Sequence, residues 1–188
     1  MAVLFISENK LKKSTTINGN VDVELLHPYM KVAQDVHIHP KVGTDLYNKL
    51  QSDITGGSLS GNYETLVEDY IQDALVHWTL YECIPFLGYK IMNKNIVRKT
   101  SETSQNADLN ELNYLREVVR NTAEWYTERM IDYLRNNTAL FTEYSSNSGA
   151  DLSPTTHNFF SGMNLDKSKQ TRRGITLNDF LTPDISID

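Results

Sequence analysis

The sequence predicts an all-α protein, a small helical bundle with a projecting β-hairpin and an extended C-terminal arm. Three observations carry this. Apolar residues recur every three or four positions in four segments, near 23–38, 44–54, 63–84 and 109–137. Capping residues, prolines or glycines bound those segments. After Tyr144 the helical period stops and Ser, Asn and Thr take over. Residues 1–144 therefore read as one helical domain and 145–188 as an arm.

In chain order, Val3-Leu4-Phe5-Ile6 is a short strand-like piece, and Ser7 is a candidate N-cap for a helix over Glu8 to Lys13. Thr15 to Asn20 is a loop with an Asn-Gly turn signal. The helix near 23–38 has Asp22 as its cap, but Pro28 is tolerable only in a first turn, which moves the expected start toward His27. Its apolar face is Leu25, Leu26, Tyr29, Val32, Ala33 and Val36, and His39-Pro40 is expected to end it. Thr44 is the expected cap of the next helix, with the face Leu46, Tyr47, Leu50 and Ile54. After the loop TGGSLSG, Asn62 is the expected cap of a helix that Pro85 and Gly88 terminate. That helix is almost without polar positions in its second half, so it is expected to be the most buried.

Two apolar pairs, Ile91-Met92 and Ile96-Val97, flank Asn93-Lys94-Asn95 and predict a hairpin within 89–107, followed by the polar stretch TSETSQNA. Asp108 caps the longest helix, which would span roughly 40 Å at 1.5 Å per residue. Leu112, Leu115, Val119, Thr122, Tyr126, Met130 and Tyr133 form its expected inner face.

The arm is too poor in apolar residues to build a core, yet Phe159, Phe160, Met163, Ile175, Leu177, Phe180 and Leu181 are spaced along it. Apolar anchors on an extended segment suit docking on a partner. Arg172 and Arg173, with Lys167 and Lys169, add a short basic piece, read as a further docking element.

Composition excludes several classes. The net charge is −6, which argues against a dedicated nucleic-acid binder. Hydrophobic residues make up 39%, low for a chain packed wholly on itself. The single cysteine, Cys83, allows no intrachain disulfide and is compatible with assembly in a reducing cytoplasm. The opening MAVLFISENKLKK lacks the pattern of a signal peptide, and no membrane span is expected.

Candidate chemistry is sparse. His37 and His39, with His27 and Asp35 nearby, are the one hint of a metal site, but His37 and His39 fall on different faces and no recognised ligand spacing completes them. Cys83 and His77 are six apart on an apolar helix, poor geometry for a nucleophile and its base, so a buried thiol is the reading. TGGSLSG lacks the lysine of a phosphate-binding loop. Glu124 and Glu128 sit among Arg120 and Arg129 and read as a charged face. Tyr89, Tyr114, Trp125, Tyr126 and Tyr144 are candidate interface aromatics, with core packing equally open for Tyr126. No catalytic residue and no cofactor are expected.

Four stretches carry a resemblance: ISENKLKK, VAQDVHIHPKVGTDLYNKLQ, NYETLVEDYIQDALVHWTLYECIPFLGYKIMNKNIVRK and LNELNYLREVVRNTAEWYTERMIDYLRNN. Gly43 to Tyr47 and Asn113 to Arg116 are its most characteristic pieces. Over about residues 4–144 the chain resembles the head–tail connector (adaptor, or head-completion) proteins of tailed phages, in particular those infecting Bacteroides and relatives, including crAss-like phages. The resemblance implies a structural virion protein, assembled in the host cytoplasm as a ring of usually twelve copies below the portal. It would join portal to tail, form part of the DNA channel without sequence-specific binding, and contact adjacent connector or tail proteins. The alternative is a helical scaffold or regulatory binding protein whose C-terminal tail recruits one partner. A small enzyme using the His27–His39 region is a third class.

Overall fold

A helix that is apolar on every side must be wrapped, and the fold is organised around one. In the computed structural model, which describes residues 3–87, 89–91, 96–98, 108–146 and 148–155, that helix is α6, Gln72–Leu87. Its main partners are α7, Leu109–Asn136, and α2, Val23–Ala33. Around them lie α1 (Glu8–Ser14), α3 (His39–Val42), α4 (Thr44–Gly56), α5 (Asn62–Leu66) and α8 (Thr142–Ser145). The described residues belong to one compact unit, Met1–Asn158. No helix among them is long and apolar enough to cross a membrane.

α7 covers the face of α6 that carries His77 and Trp78. The Trp78 indole Nε1–H donates to Thr127 Oγ1 at 2.8 Å, and His77 stacks on Tyr126 at 5.1 Å. The expected inner face of α7 is corrected by about one residue's rotation: its buried set is Ala123, Thr127, Met130, Ile131 and Leu134. Ala123 and Thr127 are small, so the two helices approach closely there and the indole fills the space. Leu115, expected inside, is exposed, and no residue from Leu109 to Thr122 is fully buried.

Burial disfavours the charged His77 ring and holds its pKa below the ordinary 6.5, with Asp73 partly opposing. The unfolded chain therefore takes up this proton first. The stability contributed by the neutral ring is intact above pH 6.5 and falls as pH drops from there toward the lower folded value. Urea unfolding across that window should show a shallower slope in His77→Gln than in the parent.

Prolines fall inside helices where the sequence alone predicted boundaries. Pro85 does not terminate α6, which runs on to Leu87. Its missing N–H frees the Tyr81 carbonyl, which accepts from Arg116 Nε at 3.4 Å, while the guanidinium lies over the Tyr81 ring. Pro28 lies in the second turn of α2, whose cap is Asp22 and not a residue nearer His27. The carbonyl it orphans belongs to Glu24, which is exposed to water. His39-Pro40 does not end the helical path either. A π-helical turn, Gln34–Ile38, precedes α3, and Pro40 falls in the first turn of that new helix, where no N–H is needed. A second π-helical turn, Val67–Ile71, joins α5 to α6.

Two expected caps are also corrected. Thr44 and Asn62 are first helical residues, and the N-cap positions belong to Gly43 and Gly61, both at positive φ. Ser7 does cap α1, accepting from Lys10 N at 3.2 Å, and Asp108 opens α7 with a capping box to Glu111.

The strand-like Val3 to Ile6 pairs with no strand. Side-chain amides hold it instead. The buried Gln34 accepts from Phe5 N at 2.8 Å and donates to the Val3 carbonyl at 2.8 Å, and Gln72 donates to the Phe5 carbonyl at 2.9 Å. Phe5 and Ile6 are thereby buried against the core.

The structure does not support a projecting hairpin at 89–107. What it describes is a short antiparallel ladder, β1 (Tyr89–Ile91) with β2 (Ile96–Arg98), in which Lys90 pairs with Val97. The expected polar loop 100–107 lies outside the described residues.

Candidate functional site

The polar groups singled out from the sequence are engaged in holding the fold. His37 stacks on Trp78 with centroids 3.7 Å apart, and its Nε2 meets Glu82 Oε1 at 2.9 Å. His39 stacks on Tyr47 at 4.2 Å and bonds Thr44 Oγ1. Asp35 accepts from the Tyr47 hydroxyl and pairs with Lys31, while His27 is exposed. Among the described residues no group of three or more His, Cys, Asp or Glu is arranged to hold a metal ion. In the glycine-rich loop, Gly57 takes a left-handed conformation that closes α4, its N–H reaching the Ile54 carbonyl.

Cys83 is buried among apolar side chains, and that burial pushes its thiol up to about 12. Its predicted behaviour is inertness: a maleimide reagent at pH 8 should leave native Cys83 unlabelled and modify it fully in urea. Rapid labelling of the folded protein would contradict the burial. Arg120 pairs with Glu124 at 3.5 Å on the outer side of α7, whereas Arg129 turns inward to Asp73 at 3.7 Å and lies over Tyr70.

One constellation escaped the sequence reading. Residues 148–155 run back over the corner between α3 and α4 as a strap. Thr44 N donates to the Leu152 carbonyl at 3.0 Å, and Thr155 N donates to the Pro40 carbonyl at 2.9 Å. Ser148 Oγ donates to Asp45 Oδ1 at 2.9 Å. The Thr44 hydroxyl gives its one proton to Asp151 at 2.8 Å and accepts from Leu152 N at 3.1 Å. His39 must then donate to it, which places the imidazole proton on Nε2. A His–Thr–Asp set in this order activates nothing, because the hydroxyl is already committed; it is a clamp.

Gly43 makes the strap fit. Its φ of 79° favours glycine, and an added Cβ would lie 2.7 Å from the Pro154 ring. Gly43→Ala should cost about 2 kcal/mol of stability and release the strap. Hydrogen exchange reads this directly: the Thr44 and Thr155 amides should lose protection while amides in α6 keep theirs.

What remains is surface. Tyr114 and Trp125 on α7 are 68% and 59% exposed, with Leu109, Leu115 and Val118 also exposed. Tyr114, Val118 and Trp125 are spaced i, i+4 and i+11, so they form one ridge on the side of α7 opposite Ala123, Thr127 and Leu134. On α2 and the turn after it, Leu25, Val32 and Val36, expected in the core, are exposed instead. Only Leu26, Met30 and Ala33 of α2 reach the core, because α6 covers one side of it. Phe86, stacked on Tyr29 at 5.2 Å, extends this second apolar surface.

Of the expected interface aromatics, Tyr114 and Trp125 lie on that outer surface. Tyr126 is half-buried on His77. Tyr144 is corrected to a core residue, its hydroxyl buried without a protein partner. The Tyr89 side chain and the expected arm anchors Phe159, Phe160, Met163, Arg172, Arg173, Ile175, Leu177, Phe180 and Leu181 lie outside the described residues.

No curated protein and no solved structure matches the chain. A family model described as a family of unknown function (DUF6712) matches residues 38–153, more than half of the chain and reaching into the strap, and the chain belongs to that family.

Proposed function

We propose that the chain is a structural virion protein, a subunit of an oligomeric ring in the head–tail connector of a tailed phage. The observation that carries this reading is the apolar ridge of Tyr114, Val118 and Trp125, facing away from the subunit's own core. Large apolar side chains grouped on an outer face mark an association surface. Two further points support it: the resemblance over 4–144, and the engagement of the candidate chemical groups in internal contacts.

In this reading the ring joins portal to tail and encloses DNA in transit. A net charge of −6 suits a conduit that must not hold its cargo. The β1–β2 ladder and the arm beyond the strap reach the portal and adjacent connector or tail proteins, with Phe159, Phe160, Phe180 and Leu181 as anchors. The subunit is assembled in the host cytoplasm, as a ring of twelve, and acts in the virion.

Sedimentation velocity of the full chain, alone and mixed with the portal protein encoded with it, tests the proposal. A ring-sized species, or co-sedimentation with portal rings, is expected. A stable monomer that ignores portal rings would overturn it. A monomer that binds one different partner through its tail would favour the scaffold or regulatory alternative.

A further inference from the structure

We infer that the α7 ridge of one copy packs against the exposed α2 surface of the next, so that the subunit has two unlike adhesive flanks; this rests on the ring reading above. The two surfaces belong to different sides of the molecule. Tyr70, Asp73, His77 and Tyr81 of the Val67–Leu87 helical run face α7, through Tyr133, Arg129, Tyr126 and Arg116. Glu82 and Phe86 of the same run face the α2 side, through His37 and Tyr29. The ridge lies on the outer side of α7, and Leu25, Val32 and Val36 lie on the α2 side.

Size and charge select the occupant. The exposed parts of these side chains amount on the order of 900 Å², about the apolar share of a standard interface of roughly 1,600 Å². Neither surface reaches that alone. Pairing the ridge with itself, antiparallel and with Tyr114 against Trp125 of the other copy, would set Glu111 opposite Glu128, a like-charge contact. The other flank offers the opposite sign: α1, which packs on α2, carries Lys10, Lys12 and Lys13. Unlike surfaces joined head to tail generate rings, whereas a self-paired ridge stops at a dimer.

The test is cross-linking of the full-length double variant Val32→Cys/Asn121→Cys with a short bis-maleimide. Val32 lies in the α2 surface and Asn121 is exposed within the ridge span, while Cys83 is buried. A ladder of multimers is expected, lost in either single variant. Dimers from Asn121→Cys alone would overturn the inference in favour of a self-paired ridge. Absence of any cross-link in a protein that still sediments as a ring would overturn it while leaving the ring intact. Absence of both the ladder and the ring would overturn the two readings together.

Discussion

Alanine in place of Gln34 should lower the free energy of unfolding by about 3–5 kcal/mol, among the largest single-residue effects in this protein. Gln34 is fully buried, and its amide makes three hydrogen bonds. It accepts from Phe5 N and donates to the Val3 carbonyl, as a neighbouring strand would. Its remaining N–H goes to the Tyr47 hydroxyl at 2.8 Å. Truncation leaves the buried Phe5 N–H without a partner, at about 1–3 kcal/mol, and opens a void beneath Phe5 and Ile6. Gln72 alone would then hold the segment, through the Phe5 carbonyl. Urea denaturation followed by circular dichroism measures the loss. Hydrogen exchange at Phe5 should rise before that of α6. A change below about 1 kcal/mol would mean that the N-terminal segment adds little to the core.

Serine at both Tyr114 and Trp125 should instead leave stability nearly untouched and remove assembly. On the proposed reading these are the two aromatic anchors of an interface. Loss of at least one hot spot, about 2 kcal/mol, weakens association about 30-fold. Sedimentation velocity across a concentration series reads that shift. Unfolding of the isolated chain should move by no more than about 0.5 kcal/mol, because both side chains are mostly in water in the subunit. A loss of several kcal/mol on unfolding would show that the ridge packs within its own fold. Unchanged association would remove the ridge from the interface.

The sequence by itself determined the helical class, the span of α7, the Ser7, Asp22 and Asp108 caps, and the wholly apolar character of α6. These follow from local rules, side-chain period and capping chemistry, that need no distant partner. It also placed Tyr114 and Trp125 among the surface aromatics. The tertiary structure decided what depends on contacts remote in sequence. Whether a proline breaks a helix turned on another group accepting the freed carbonyl, as Arg116 does for Tyr81. The rotation of α7 turned on the small residues Ala123 and Thr127, which hydrophobic counting passes over because closeness and not bulk selects them. The strap was invisible because its polar run of Ser, Asp and Thr reads as solvated chain until Gly43 and Thr44, over a hundred residues earlier, supply the surface that fits it. The outward surfaces were hidden for the same reason. Apolar spacing says that Leu25, Val32 and Val36 must be covered, and only the packed fold shows that the subunit does not cover them itself.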